Sequence, residues 1–204
     1  MTDASPPAAA DPGPFARFGE LLERARATDL PEPTAMALST VGPEGRPSSR
    51  MVLLKEFDER GFVFYTNLGS RKAREIAGNP WVALCFHWQP LEVQVRVEGR
   101  AEPVPPEEAD AYYASRPRGS RIGAWASRQS EELPASATLE ERIRETEARF
   151  PGEVVPRPPF WSGFRVVPDR IELWFGRPSR LHDRDVYTRD PAAPGGWALR
   201  QLYP

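Results

Sequence analysis

The run Leu91–Pro103 limits most narrowly what this chain can become. Val93, Val95 and Val97 alternate with Glu92, Gln94, Arg96 and Glu98, a period of two that places the valines on one face of a strand and the polar residues on the other. One face is expected to join a core and the other to meet something polar. Trp81–His87 precedes it across Gln89-Pro90, which reads as a hairpin.

The rest of the chain repeats this theme. Ala35–Val41 leads through Gly42-Pro-Glu-Gly45 into Ser49–Lys55, and a turn at Asp58–Gly61 leads on to Phe62–Thr66. Near the C-terminus the pattern predicts Trp161–Val167, a turn at Pro168-Asp169, Arg170–Phe175, Leu181–Arg189 and Trp197–Leu202. Helical spacing marks Phe15–Thr28, and a helix from Arg71 stops at Gly78-Asn79-Pro80. Pro106–Ser115 reads as a helix that Pro117 ends. The segment 118–127 reads as a short helix or an ordered loop. Thr138 and Glu141 form a capping box for a surface helix Leu139–Phe150. Many short strands, mostly joined by turns, predict a mainly β fold: an antiparallel barrel or sandwich with peripheral helices.

A chain of 204 residues can bury roughly 70% of its extended surface, enough for one sizeable domain over 15–204. Residues 1–14, rich in proline and alanine, are expected to be a disordered tail. The balance of 27 basic and 29 acidic residues suggests neither bulk nucleic-acid binding nor a polybasic membrane surface. No run approaches 18 apolar residues, so a cytoplasmic protein is expected. The one cysteine, Cys85, lies in an apolar run, and with only His87 and His182 as histidines no metal site is expected. The P-loop, Rossmann and nucleophile-elbow signatures are absent.

Chemistry concentrates in a few places. Arg71 and Lys72 open a helix, where cations oppose the helix dipole unless a bound anion draws them there. Arg180, His182 and Arg184 would share one face of a strand, and a neutral histidine beside arginines can handle protons. Lys55, Tyr112, Arg116 and Ser120 would offer an ammonium, a guanidinium and hydroxyls, a set suited to a phosphate monoester.

Taken together, the strings EPTAM at 32–36, RMVLLK at 50–55, FYTNLGSRKA at 64–73, SRPRGS at 115–120, IGAWAS at 122–127, FW at 160–161, GFRV at 163–166 and RLHDR at 180–184 resemble the pyridoxine/pyridoxamine 5'-phosphate oxidase family. The resemblance implies a split β-barrel that binds FMN, works as a homodimer with sites at the subunit interface, and oxidises pyridoxine or pyridoxamine 5'-phosphate to pyridoxal 5'-phosphate with O2 as acceptor. By resemblance, flavin would meet Arg50, Met51, Val52, Leu53, Leu54, Lys55, Tyr65, Thr66, Arg71, Lys72, Gln94, Gln129, Ser130, Trp174 and Arg184. Substrate phosphate would meet Lys55, Tyr112, Arg116 and Ser120, with Arg180 and His182 over the substrate ring. Arg50 and Lys55 are five apart and cannot share a face of a regular strand, so a bulge or a strand end must intervene.

The chain departs from the family pattern in places. Val93 stands where an arginine is common, with Arg96 expected to replace it. Phe175 stands for a glutamine, and Glu32 for an aspartate. The alternatives are an FMN oxidase of another aromatic ring, such as a phenazine precursor, and a noncatalytic flavin or pyridoxal-phosphate carrier. A heme or F420 split barrel has less in its favour.

Overall fold

A computed structural model describes residues 11–204. Its strands are β1 (Ala35–Val41), β2 (Pro47–Leu53), β3 (Glu56–Asp58), β4 (Gly61–Asn67), β5 (Trp81–Trp88), β6 (Val93–Pro103), β7 (Trp161–Phe175), β8 (Asp183–Arg189) and β9 (Trp197–Gln201). Its helices are α1 (Pro14–Arg26), α2 (Arg71–Gly78), α3 (Pro106–Ser115), α4 (Arg118–Ala126) and α5 (Ser136–Arg149). The hydrogen-bonded order is β2-β1-β5-β6-β7-β4-β3, with β8 on β7 and β9 on β8. This is the expected antiparallel split-barrel class with peripheral helices. The tail expected at 1–14 lies mostly outside the described residues. Within it, Asp11 accepts a bond from the Tyr187 hydroxyl and Pro14 already starts α1.

The chain groups into two compact units. The larger is Thr34–Phe86 with Arg96–Asp169; the smaller is residues 11–33, His87–Val95 and Arg170–Pro204. In the larger unit Phe62, Phe64 and Phe86 are fully buried. Each removes an aromatic side chain from water, worth about 2–3 kcal/mol. In the smaller unit Phe18, Leu21, Leu22 and Ala25 form the buried stripe of α1. The Phe18 ring meets that of Trp88 at 5.7 Å, and the Trp88 indole N–H donates to Pro33 O at 2.8 Å.

Several elements differ from expectation, each for a local reason. No turn interrupts β7 at Pro168-Asp169. Pairing with β4 ends at Val166, and pairing with β8 begins at Arg170. Pro168 falls between the two ladders, where neither strand requires the amide it lacks. Gly99 of β6 crosses at the same point. A Cβ there would lie 2.7 Å from Pro168 Cα and would overlap Val167 O.

β6 begins at Val93 rather than Leu91, because Gln89–Leu91 coils into a 3-10 turn and Glu92 takes a left-handed φ of 52°. The valines at 93, 95 and 97 are buried as predicted. Val93 therefore belongs to the core face, whereas Arg96 shares the opposite face with Gln94 and cannot take over a position at 93. α5 starts at Ser136 with Ala135 as an extended cap residue that gives no side-chain bond. Thr138 lies inside the first turn, so the expected capping box is not used. Segment 118–126 is helical.

Gly99→Ala should lower stability by about 1–3 kcal/mol, since backbone must shift to admit the methyl group. Urea denaturation checks this, and an unchanged midpoint would contradict the close crossing.

Candidate active site

The strand-parity conflict between Arg50 and Lys55 is resolved by where β2 ends. β2 pairs with β1 up to Leu53. Leu54 N–H then donates to Thr34 O at 2.9 Å and Lys55 N–H to Val63 O at 2.9 Å, so the chain changes partner within two residues. Leu54 is 4% exposed and its side chain sits in the core. Arg50, Met51, Val52, Leu53 and Lys55 instead line a cleft of about 850 Å3, in the larger unit. Tyr65, Thr66, Lys72, Tyr112, Arg116, Ser120, Gln129 and Trp161 line it too. Residues far apart in sequence, and expected to bind two different phosphate groups, thus surround one space.

Lys72 defines one pole of the cleft. It is 9% exposed, and its ammonium donates to Thr66 Oγ1 at 3.1 Å, Gln129 Oε1 at 3.1 Å and Ser70 Oγ at 3.4 Å. All three acceptors are neutral. Burial, and then the nearby charge of Arg50, push the Lys72 pKa below its ordinary value. A buried ammonium with no carboxylate is costly to charge, and an anion entering the cleft would relieve that cost. Ser70 caps α2 by accepting from Ala73 N–H, which fixes the helix start beneath Lys72.

Arg71 has a different environment. Its guanidinium is 62% exposed and donates to Glu75 Oε1 at 2.8 Å, one helical turn on. The acid explains in part why a cation is tolerated at this helix start. The Arg71 backbone N–H also donates to Ser130 Oγ at 3.1 Å, with Ser130 in a left-handed φ of 72°. Glu75 is 6% exposed and accepts further bonds from Thr40 at 2.5 Å, Ser48 at 2.7 Å and Arg50 at 3.3 Å. Burial alone would raise its pKa. Bonds from Ser48, Thr40 and Arg71 outweigh that and bring it to about 2. Arg50 is held in addition by Leu38 O at 3.0 Å, Thr40 at 2.7 Å and Ser48 at 2.5 Å.

The other pole is aromatic and cationic. Tyr65 and Tyr112 stack at 4.0 Å with planes 13° apart, and Tyr65 lies parallel to Trp161 at 5.4 Å. The Arg116 guanidinium sits 4.8 Å from the Trp161 ring centre, and its Nη1 is buried without a partner. Burial pushes the Arg116 pKa down, opposed by Tyr112 and Tyr113. The Tyr65 hydroxyl is also buried without a partner, and burial, with Glu56 and Glu108, raises its pKa. Arg116 as a whole is half-buried and lines the cleft, and a guanidinium with no carboxylate partner in a concave site is suited to an oxyanion. Lys55 and Ser120, on the rim, are exposed.

Gln94, Trp174, Arg180, His182 and Arg184 belong to the smaller unit. The expected strand face of Arg180, His182 and Arg184 does not exist, because β8 begins only at Asp183. Pro178–Arg180 forms a 3-10 turn in which Ser179 and Arg180 take left-handed φ values of 58° and 61°. His182 Nδ1 accepts from the Arg177 N–H at 3.1 Å, which leaves Nε2 as the proton-bearing nitrogen of a neutral ring. The His182 ring lies 4.4 Å from that of Trp174. Arg184, opposite Trp174 in the ladder, forks onto Glu172 at 2.7 and 3.2 Å, and that bond raises its pKa. Phe175, a departure from the family pattern, receives the Arg17 guanidinium at 5.9 Å.

Sequence reading gave no site role to Glu75 or Trp161. The Arg71/Glu75 spacing of four was a usable signal for the first. The second stands in the string FW at 160–161, but its partners come from β4 and α3 and could not be read locally.

Fold and cleft together define a class: a split-barrel protein with a cleft lined by cationic side chains at two separate places. Residues 21–150 match the family model described as pyridoxamine 5'-phosphate oxidase, and residues 161–204 match the pyridoxine 5'-phosphate oxidase C-terminal dimerisation region. The chain belongs to the pyridoxine/pyridoxamine 5'-phosphate oxidase family. The pyridoxine/pyridoxamine 5'-phosphate oxidase of Myxococcus xanthus (strain DK1622) is 59% identical over 193 residues, covering 95% of this chain and 92% of that protein. That of Rubrobacter xylanophilus is 58% identical over 195 residues, covering 96% and 88%. Among solved structures, PhzG from Burkholderia lata 383, in complex with tetrahydrophenazine-1-carboxylic acid, superposes with a TM-score of 0.88 at 33% identity, covering 99% of this chain and 98% of that one. An FMN-binding protein of Nostoc punctiforme shares the fold at a TM-score of 0.75 and 20% identity. No helix among the described residues is long and apolar enough to cross a membrane.

Because its folded pKa is depressed, the stabilising charge of Glu75 is fully present above about 4.5 and lost as pH falls toward about 2. Glu75→Gln should cost about 2 kcal/mol at neutral pH, and the difference from wild type should shrink through that window. Denaturant titrations over a pH series check this; a cost independent of pH would contradict the assigned charge state.

Proposed function

We propose that this chain uses FMN to oxidise pyridoxine 5'-phosphate or pyridoxamine 5'-phosphate to pyridoxal 5'-phosphate, with O2 reduced to H2O2 and ammonia released from the amine. The observation that carries this reading is the pairing of two uncompensated cations, Lys72 and Arg116, in one cleft. A phosphorylated cofactor and a phosphorylated substrate together would satisfy both. The cleft's volume of about 850 Å3 falls within the range of small-molecule sites. High identity to oxidases of these vitamers over nearly the whole chain supports the same substrates.

The residues present suit the cofactor. Lys72 and Arg50 would hold its phosphate, with Thr66, Gln129 and Ser130 as hydrogen-bonding partners. Gln94, Trp174 and Arg184 are proposed to contact the flavin ring. When bound, FMN supplies the two-electron acceptor that no side chain here can provide. Lys55, Tyr112, Arg116 and Ser120 would fix the substrate phosphate and so align the rest of the molecule. Arg180 would orient the ring and stabilise negative charge on its 3-oxygen, and His182, with its proton on Nε2, would assist orientation and proton movement. A homodimer formed through the C-terminal region, with sites at the subunit interface, and a cytoplasmic location complete the proposal.

The likeness to PhzG makes oxidation of a phosphate-free ring the second reading. The Arg116 pole argues against it, because a ligand without phosphate leaves that half-buried charge uncompensated. A noncatalytic carrier is the third.

Anaerobic mixing of FMN-loaded protein with pyridoxine 5'-phosphate should bleach the flavin absorption band, and air should restore it with formation of pyridoxal 5'-phosphate. Absence of bleaching with either phosphorylated vitamer would favour a ring oxidase or a carrier. Lys72→Met should weaken FMN binding about 10-fold or more while changing riboflavin affinity little, as removal of a charge-assisted bond to phosphate requires. Fluorescence titration of the apoprotein reads both ligands, and equal losses would displace Lys72 from the phosphate.

A further inference from the structure

We infer that Trp161 is a positioning residue for Arg116, holding the guanidinium through an aromatic face so that its N–H donors stay free for substrate phosphate, and that it thereby sets the preference for phosphorylated substrate. This rests on the phosphate clamp under Proposed function and extends it to a residue that clamp does not include.

The geometry is specific. The guanidinium carbon lies 4.8 Å from the Trp161 ring centre and 5.8 Å from that of Tyr113, which itself meets Trp161 edge-on at 5.0 Å and 68°. No described carboxylate pairs with Arg116, and its Nη1 is buried and unpartnered. Contrast Arg165, which is buried and whose donors are used by Asp58 at 3.1 Å and Glu108 at 2.8 Å. A carboxylate positions a guanidinium by occupying its donors; an aromatic ring attracts the cation and leaves its hydrogen-bonding fork available.

The platform is itself held in place. Trp161 N–H donates to Pro158 O at 3.0 Å, and Trp161 pairs with Asn67 in the β4–β7 ladder. Tyr65 lies parallel to it, 4° apart, and carries Tyr112 on its ring. Gly163 makes this possible, because a Cβ there would come within 2.7 Å of Tyr65 Cδ1. Arg116 and Tyr112, both in the clamp, thus rest on one stack anchored in β4 and β7.

The test measures equilibrium binding of pyridoxal 5'-phosphate and of pyridoxal to the FMN-loaded protein. Wild type, Trp161→Leu, Trp161→Phe, Arg116→Ala and the two Trp161 variants in the Arg116→Ala background are compared. Trp161→Leu should weaken pyridoxal 5'-phosphate binding about 5- to 30-fold and leave pyridoxal affinity unchanged. Trp161→Phe, with a weaker aromatic face, should lose about 2- to 4-fold. Neither substitution should cause further loss once Arg116 is alanine. Equal losses for both ligands, or losses that persist without Arg116, overturn the inference. Should Trp161→Leu fail to fold, the Trp161→Phe pair of backgrounds decides alone. If wild type itself does not prefer the phosphorylated aldehyde, the clamp falls, and this inference with it.

Discussion

The carboxylate of Glu75 is the contact on which the cationic wall of the cleft depends. It lies in α2, yet its bonds reach Thr40 in β1, Ser48 and Arg50 in β2, and Arg71 in its own first turn. One buried anion thereby ties a helix to two strands and orders two arginines. Without it, Arg50, Arg71 and Lys72 would repel one another around a helix start. With it, Arg50 and Arg71 are partnered, and the ammonium of Lys72 remains as the charge in want of an anion. That local charge balance supports the proposed place of a ligand phosphate beside Lys72.

The same distinction between occupied and available donors runs through the molecule. Arg165 bridges Asp58 and Glu108, Arg17 bonds Asp185 and Tyr187, and Arg184 forks onto Glu172. These arginines act as struts. Arg116 stands apart, supported by rings and with a buried donor unmet. Desolvation that would count as a defect in a structural ion pair becomes, at a ligand site, a preference for an incoming oxyanion. Membership of the pyridoxine/pyridoxamine 5'-phosphate oxidase family gives that oxyanion a chemical identity, and the two poles account for why cofactor and substrate would each carry a phosphate.

Much of the architecture was legible from local pattern. The alternation at Val93, Val95 and Val97, the stop at Gly78-Asn79-Pro80 and the stripe of α1 express periodicities that a chain carries without knowing its partners. Misreadings arose where a tertiary neighbour overruled a local signal. Pro168 looked like a turn but lies between two ladders, with Gly99 of β6 crossing at that point. Arg180 and His182 looked like strand residues, but the turn at Pro178 delays β8 to Asp183. Arg50 and Lys55 conflicted in parity because the change of hydrogen-bond partner from Thr34 to Val63 is invisible along the chain.

The sequence by itself determined the fold class, the family and the chemical types of the candidate site residues, since these reside in order, spacing and side-chain identity. Only the tertiary structure decided which of those side chains are charged without a partner. That property depends on what lies across a cleft from Lys72 or beneath Arg116, and the residues concerned, Thr66, Gln129 and Trp161, come from distant parts of the chain. Desolvation is a property of three-dimensional surroundings, and it separates the arginines that hold the protein together from the cations proposed to meet a ligand.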